Sequence, residues 1–444
     1  MSSLCDLPDE ILLEVVRYFA AIRSYETQSV AFRNKQIEKE RQRENNLRQR
    51  TLYALCLTCR RLRFVSLPTL YGSSITSATQ DGLRRLGRLY RTISSQQQAL
   101  GQSKRLSEYI LYVENRFADH RGNSLSDDEY FQEHLAVNYF QLLALIFLNA
   151  SNIENLCTVS LEHDDVSFWI PVLDKSSHPA LNGPPKLRHV SVQIHAQTVT
   201  RKREISTFWR LCVNLHLFTA LSDLRISGAS TNRLYQRAIK IGQLPRVRRL
   251  ELTECGLDIY EVAQLLQACS NVQAFTCRWT FLDNANSGPS ELRSALLAHA
   301  DTLQELTLDF REIRYSPNVD LAWHMLRSLR PMEVLQYLEI CERGFLDSDL
   351  SLLDSPDQTM GCDLSRMFPE SIRHIRLLAN GIFSHYSDDV LEEALGLLEL
   401  ASKCKTSVPH LKTLCIVVQQ EQIASNIEMA FDEVGVRFYT ELEN

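Results

Sequence analysis

Few residue groupings in this chain could carry chemistry. Cys56-x-x-Cys59 has the spacing of a metal-binding or redox dithiol pair. No second pair at matching spacing accompanies it, and it falls in a helical run from Thr51 to Val65. The expected role is apolar packing by free thiols. His163, Asp164 and Asp165 set three donors side by side, a grouping that could grip a cation; the sequence reading is a solvated acidic loop. A His-Glu-x-x-His pair, a Gly-x-Ser-x-Gly elbow and a Gly-rich phosphate loop are all missing. The expectation is a chain with no catalytic residue, no metal and no cofactor, which works by binding.

A binding protein acts through the surface its elements build, and those elements repeat. A short strand with apolar residues at positions one, four and six occurs at Leu156/Val159/Leu161 and Leu187/Val190/Val192. It returns at Leu221/Leu224/Ile226, Val247/Leu250/Leu252, Val272/Phe275/Cys277 and Leu303/Leu306/Leu308. Leu335/Leu338/Ile340, Ile372/Ile375/Leu377 and Leu411/Leu414/Ile416 complete the series. Middle positions lie between 275 − 250 = 25 and 414 − 375 = 39 residues apart. Helical patterns fill the gaps at Asp258–Cys269, Ser290–Ala300, Asn318–Leu329 and Asp388–Ala401. One strand–helix unit cannot bury its apolar side alone, but a parallel stack of them can. The predicted fold is therefore an α/β repeat solenoid over 151–444, with a closed or doubly wound α/β sheet as the rival. Residues between the apolar anchors project to the opposite sheet face. Arg225, Arg249, Glu251, Arg278, Glu305, Asp309, Glu339 and Arg376, with Thr276 and His374, form a polar wall there. It is either a solvated face or the place where a protein substrate is held.

The front of the chain has a different pattern. Asp6-Leu7-Pro8-Asp9-Glu10 reads as a helix start, with Asp6 as cap, proline in the first turn and acids at the positive helix end. Leu12, Val15, Val16 and Phe19 follow at helical spacing. Residues 22–50 are polar and rich in mixed charge, read as a solvated helix or a partly disordered insertion. The second helical run is closed by Pro68. The predicted organisation is a helical module over 1–75, a helical linker or cap over 76–150, and the array from 151 onward.

Composition bounds the class. The chain has 444 residues, 44% of them hydrophobic and 23% charged, with 15 glycines and 13 prolines, which suits a helix-rich globular protein. A net charge of −6 spread along the chain gives no reason to expect nucleic-acid binding. The most apolar stretch, 135–149, is too short to span a bilayer and reads as a core helix, so no membrane association is expected. Acidic residues near the N-terminus do not suit a secretory signal, and twelve cysteines then imply a reducing compartment, cytoplasmic or nuclear.

Two stretches resemble known families. Leu7-Pro8-Asp9-Glu10-Ile11-Leu12-Leu13-Glu14-Val15-Val16-Arg17-Tyr18-Phe19, with Leu55-Cys56-Leu57-Thr58-Cys59-Arg60-Arg61-Leu62-Arg63 and Leu67-Pro68-Thr69-Leu70-Tyr71, resembles an F-box of the fungal type. About thirty residues separate the halves, where the family has a short loop. The later strand–helix units resemble leucine-rich repeats in a degenerate form. The F-box resemblance implies docking to the Skp adaptor of a Skp–cullin–F-box ubiquitin ligase, and through it to a cullin. The adaptor-facing residues it implies are Leu7, Pro8, Ile11, Leu12, Val15, Leu55, Leu57 and Leu62. The repeats would hold the protein substrate, and this chain would be a non-catalytic subunit. The alternative is a repeat scaffold whose F-box serves no ubiquitination.

Overall fold

A computed structural model describes residues 7–24, 35–95, 105–116, 129–161, 166–173, 186–195, 207–230, 241–280, 282–285, 287–315, 326, 328–341, 364–378, 396–418 and 425–442. The chain divides into two compact units, Met1–Leu221 and Ser222–Asn444. Both have an α/β architecture built on parallel strands.

The first unit opens with three helices. Helix α1 (Asp9–Tyr18) starts one residue after Pro8, which takes the cap position itself, while Asp9 and Glu10 fill the first turn as expected. Helix α2 (Lys35–Thr58) is continuous, so the charged insertion and the second apolar run belong to one element. The break falls at Cys59, whose extended backbone and Sγ, accepting from the Leu62 N–H at 3.4 Å, cap α3 (Arg60–Tyr71). Pro68 lies inside α3 rather than closing it. The carbonyl that loses a donor to Pro68 belongs to Phe64, on the exposed side of the helix, where water can serve it.

The expected helical linker over 76–150 is corrected. Strand β1 (Ser73–Ser77) and β2 (Tyr112–Arg116) pair in parallel, and α4 (Gln80–Ser94) connects them. Helix α5 (Glu129–Asn149), β3 (Asn155–Leu161), α6 (Val166–Leu173), β4 (His189–His195) and α7 (Thr207–Asn214) follow. Strands β1 to β4 lie in chain order. Tyr139, Phe140, Leu143 and Phe147 of α5 are buried, as expected of a core helix. Among the described residues no helix is long and apolar enough to cross a membrane.

The second unit holds β5 (Asp223–Ser227), β6 (Arg249–Cys255), α8 (Ile259–Gln267), β7 (Ala274–Trp279), β8 (Leu282–Ala285) and α9 (Pro289–Leu297). Strands β9 (Glu305–Asp309), β10 (Ile313–Tyr315), β11 (Tyr337–Cys341) and β12 (His374–Leu378) come next. The unit ends with α10 (Leu397–Ser407), β13 (Thr413–Val418), α11 (Ser425–Glu433) and β14 (Arg437–Leu442). Its sheet runs β5-β6-β7-β9-β11-β12-β13-β14, all parallel, and β8 pairs with β10 apart from it. Strand order follows chain order in each unit, without the reversal of a doubly wound sheet.

The repeat register predicts the pairing well. Leu224, Leu250, Phe275, Leu306, Leu338, Ile375 and Leu414 stand side by side across the second sheet, as do Ile226, Leu252, Cys277, Leu308, Ile340, Leu377 and Ile416. The first triplet was out of phase. Leu156, not Val159, lies opposite Val190, so Leu156 holds the middle position and the first spacing is 190 − 156 = 34 residues. Helix α8 begins at Asp258 through a reciprocal cap with Glu261. The helix expected over 388–401 is seen from Leu397, and that over 318–329 lies mostly outside the described residues.

Candidate docking surfaces

The three N-terminal helices share a small core of Leu12, Val16, Leu52, Leu62 and Val65, against which Leu7, Phe19, Leu55, Cys59 and Leu70 pack. Arg61 fastens the start of α1 to α3. Its guanidinium donates to Asp9 Oδ1 at 2.6 Å and to the Leu7 carbonyl at 2.7 Å.

This core sorts the residues read as adaptor-facing. Leu12 and Leu62 are interior, Leu7, Val15 and Leu55 are half-buried, and Pro8, Ile11 and Leu57 are exposed. Ile11 is 49% exposed and Leu57 69%. Sequence reasoning passed over Leu13, Tyr18, Tyr53 and Phe64, which are also exposed. Their signal was available: large apolar residues on the helix faces away from the Leu12, Leu52 and Leu62 positions. Cys56 is half-buried, and burial pushes its thiol up, which suits packing rather than redox work.

Helix α2 is largely exposed over the described part of 22–50, as a solvated helix should be, but one face of it is held down. Arg41 is only 2% exposed in its side chain and meets Glu114 of β2, which is 0% exposed. Its Nη2 donates to Glu114 Oε1 at 2.5 Å and Nη1 to Oε2 at 3.1 Å. It also donates to both oxygens of Glu38 at 2.7 and 2.9 Å and to the Ile22 carbonyl at 2.9 Å. Burial disfavours the Arg41 charge, but its hydrogen bonds to the two carboxylates more than offset this, and the guanidinium is held above its ordinary range. Tyr112 donates to Glu114 at 2.6 Å, and Ser24 reaches Tyr112 and Cys157. Asn45 clasps the backbone of Ile22 in both directions. The described part of the insertion is thus anchored to the sheet.

In the second unit the residues read as a polar wall do come together on one sheet face. Arg225 pairs with Glu251 at 3.5 Å, and Arg249 with Asp223 at 3.8 Å and Glu305 at 3.6 Å. Arg278 and Arg376 both meet Glu339, at 2.9 and 3.2 Å, and Arg376 reaches Glu441 at 2.7 Å. Asp309 is held by Arg311 at 2.8 Å, a partner the sequence reading missed. Tyr337 also donates to Glu339, and burial beside that carboxylate pushes the phenol up. His374 bonds Thr413 at 2.8 Å. Several pairs reach over a whole strand. Arg249 on β6 spans Ala274 of β7, and Arg278 on β7, opposite Asp309, crosses β9 diagonally to Glu339 of β11. The wall is therefore a network of internal pairs, with Arg249, Arg278, Glu305 and Glu441 keeping the most exposed surface.

Among the described residues no group of three or more histidine, cysteine or acidic side chains could hold a metal. His163, Asp164 and Asp165 lie outside them. No family model matches this chain, and no curated protein matches it either.

Proposed function

We propose that this chain is the substrate-recognition subunit of a Skp–cullin–F-box ubiquitin ligase, with an F-box-like module in front of an open leucine-rich-repeat-like solenoid. The observation that carries the reading is the helical module. It has a core of its own, yet leaves Pro8, Ile11 and Leu57 uncovered within the stretches that resemble an F-box. Such residues lose nothing by meeting an adaptor, whereas Leu12 and Leu62 support the module from inside. The polar face of the second unit is the surface offered to a protein substrate. A second reading, a scaffold without ligase activity, is favoured by the internal pairing of that face, because a partner would have to compete with existing ion pairs.

The test is co-purification of the full chain with the Skp adaptor and a cullin. The double substitution Ile11→Asp, Leu57→Asp should weaken adaptor binding at least thirtyfold, about 2 kcal/mol, with an unchanged thermal melt. Undiminished adaptor binding would refute the docking assignment. Adaptor retained without any cullin would favour the scaffold.

A further inference from the structure

We propose that the free edge of β1 receives an extended, neutral and polar polypeptide segment, which joins the sheet of the first unit as an added strand. The reasoning starts from hydrogen-bond parity. β1 pairs with β2 in parallel, Ser73 opposite Tyr112, and the Tyr112 N–H donates to the Gly72 carbonyl at 3.1 Å. In a parallel ladder each residue turns both backbone groups to the same side, and alternate residues turn to opposite sides. Gly72, Ser74 and Thr76 therefore face β2, while Ser73, Ile75 and Ser77 face away from it. The Ser77 carbonyl accepts from the Thr79 N–H at 2.7 Å and is closed. No backbone hydrogen bond among the described residues reaches the outward groups of Ser73 or Ile75.

A cleft of about 300 Å³ runs beside this edge, bounded by β1, the first turn of α4 and one face of α2. That volume is at the low end of ligand sites; it suits a few extended residues and not a folded domain. Unused donors and acceptors on alternate residues recur at roughly 6.6 Å along a strand, the repeat a second strand presents. The α2 wall offers Gln42, Asn46 and Gln49, while Phe19, Leu52 and Leu70 also line the cleft, so the lining is mixed, with polar groups in the majority. The charges at the cleft are already matched, Arg48 with Glu44 and Arg85 with Asp81. Neutral side chains, mainly polar ones, fit that surface better than charged ones. None of these residues belongs to the adaptor-facing set, so the inference stands apart from the ligase reading.

The probe is a phage-displayed library of unconstrained nine-residue peptides, panned on the full chain, with the enriched peptides then measured by fluorescence polarisation. Binding should fall at least tenfold on Ile75→Pro, which deletes one outward N–H and no bond to β2. Methylating alternate backbone nitrogens of the peptide should cost as much. Asn46→Trp, which fills the cleft from α2 and leaves the residues of β1 unaltered, should have the same effect and serves if Ile75→Pro melts early. Peptides that bind both variants like the parent overturn the proposal, as does a selection that enriches none. Sedimentation showing a dimer that Ile75→Pro abolishes would assign the edge to a second copy and overturn it too.

Discussion

Replacing Arg41 with methionine tests whether the charged insertion is anchored. The substitution keeps the length of the stem and removes the guanidinium, leaving the Glu114 carboxylate fully buried with the Tyr112 hydroxyl still donating to it. Removing one member of a buried ion pair costs about 3–5 kcal/mol, because the remaining charge keeps its desolvation penalty and loses its compensation. For a unit of this size about 1 kcal/mol moves a melting midpoint by roughly 2–4 °C. A drop of about 6–20 °C is expected in the transition that reports on the first unit. Calorimetry gives the midpoint, and amide exchange locates the loss, which should appear in α2 and β2 together. Adding Glu114→Gln to Arg41→Met should recover at least half of the loss, since a buried amide requires no counter-charge. A cost below about 1 kcal/mol, the range of solvent-exposed pairs, would show that the front half of α2 does not rest on the sheet, and the reasoning would be wrong.

Glu339→Ala should destabilise the second unit by about 1–2 kcal/mol, because Arg278 and Arg376, both partly exposed, would lose the buried carboxylate they share; a urea midpoint unchanged from the parent would contradict this. Gly82→Ala should cost about 2 kcal/mol or more, since its new carbon would sit 1.9 Å from the Ser77 carbonyl oxygen and backbone must move. Urea titration of that variant against Gly87→Ala, which meets only a Leu142 methyl at 3.8 Å, isolates the effect. Burial pushes the Cys157 and Cys269 thiols from about 9 up to about 12. The unfolded chain then loses these protons first, so stability should hold below pH 9 and fall between 9 and 12, by up to about 1.4 kcal/mol per pH unit for each thiol. A Cys269→Ala variant should show a shallower fall, and equal slopes would refute the assignment.

The second sheet was legible because its signal is local and repeated. Leu250, Phe275, Leu306 and Leu338 all sit on one face and are all apolar, so period-two patterning finds the strand and its register together. The first two strands escaped for a physical reason. β1 reads Ser-Ser-Ile-Thr-Ser, and β2 carries Glu114 and Asn115 on its two faces, both buried. A strand that buries polar groups has no hydrophobic period to detect. The misplaced first triplet has the same origin: Thr158 takes an inward position where later repeats have Val192, Leu252 or Leu308. Of the docking surfaces, the residue types were visible in sequence, but which of them serve the module's interior was not. Leu12 and Ile11 are neighbours of similar character, and only the packing of α1 on α3 separates them.

The charged insertion is mostly solvated, as its composition implies, but its buried polar face escaped on the same principle, and helix α2 shows how. Arg41, Asn45, Arg48, Leu52 and Leu55 follow one another at steps of four, three, four and three, which is a single helix face. Along that face Arg41, Asn45 and Leu52 are buried and Arg48 and Leu55 are half-buried. The stripe is continuous from end to end, but its chemistry changes midway. The front half meets Glu114 and the Ile22 backbone and so is polar; the back half meets Leu12 and Leu62 and so is apolar. A hydrophobicity scan sees the second half alone and places the helix start near Thr51. The period of the stripe extends it earlier, since Arg41, Asn45 and Arg48 recur in phase with Leu52 and Leu55. What the sequence could not supply is the partner, because Glu114 lies 73 residues away in a strand that carries no pattern of its own.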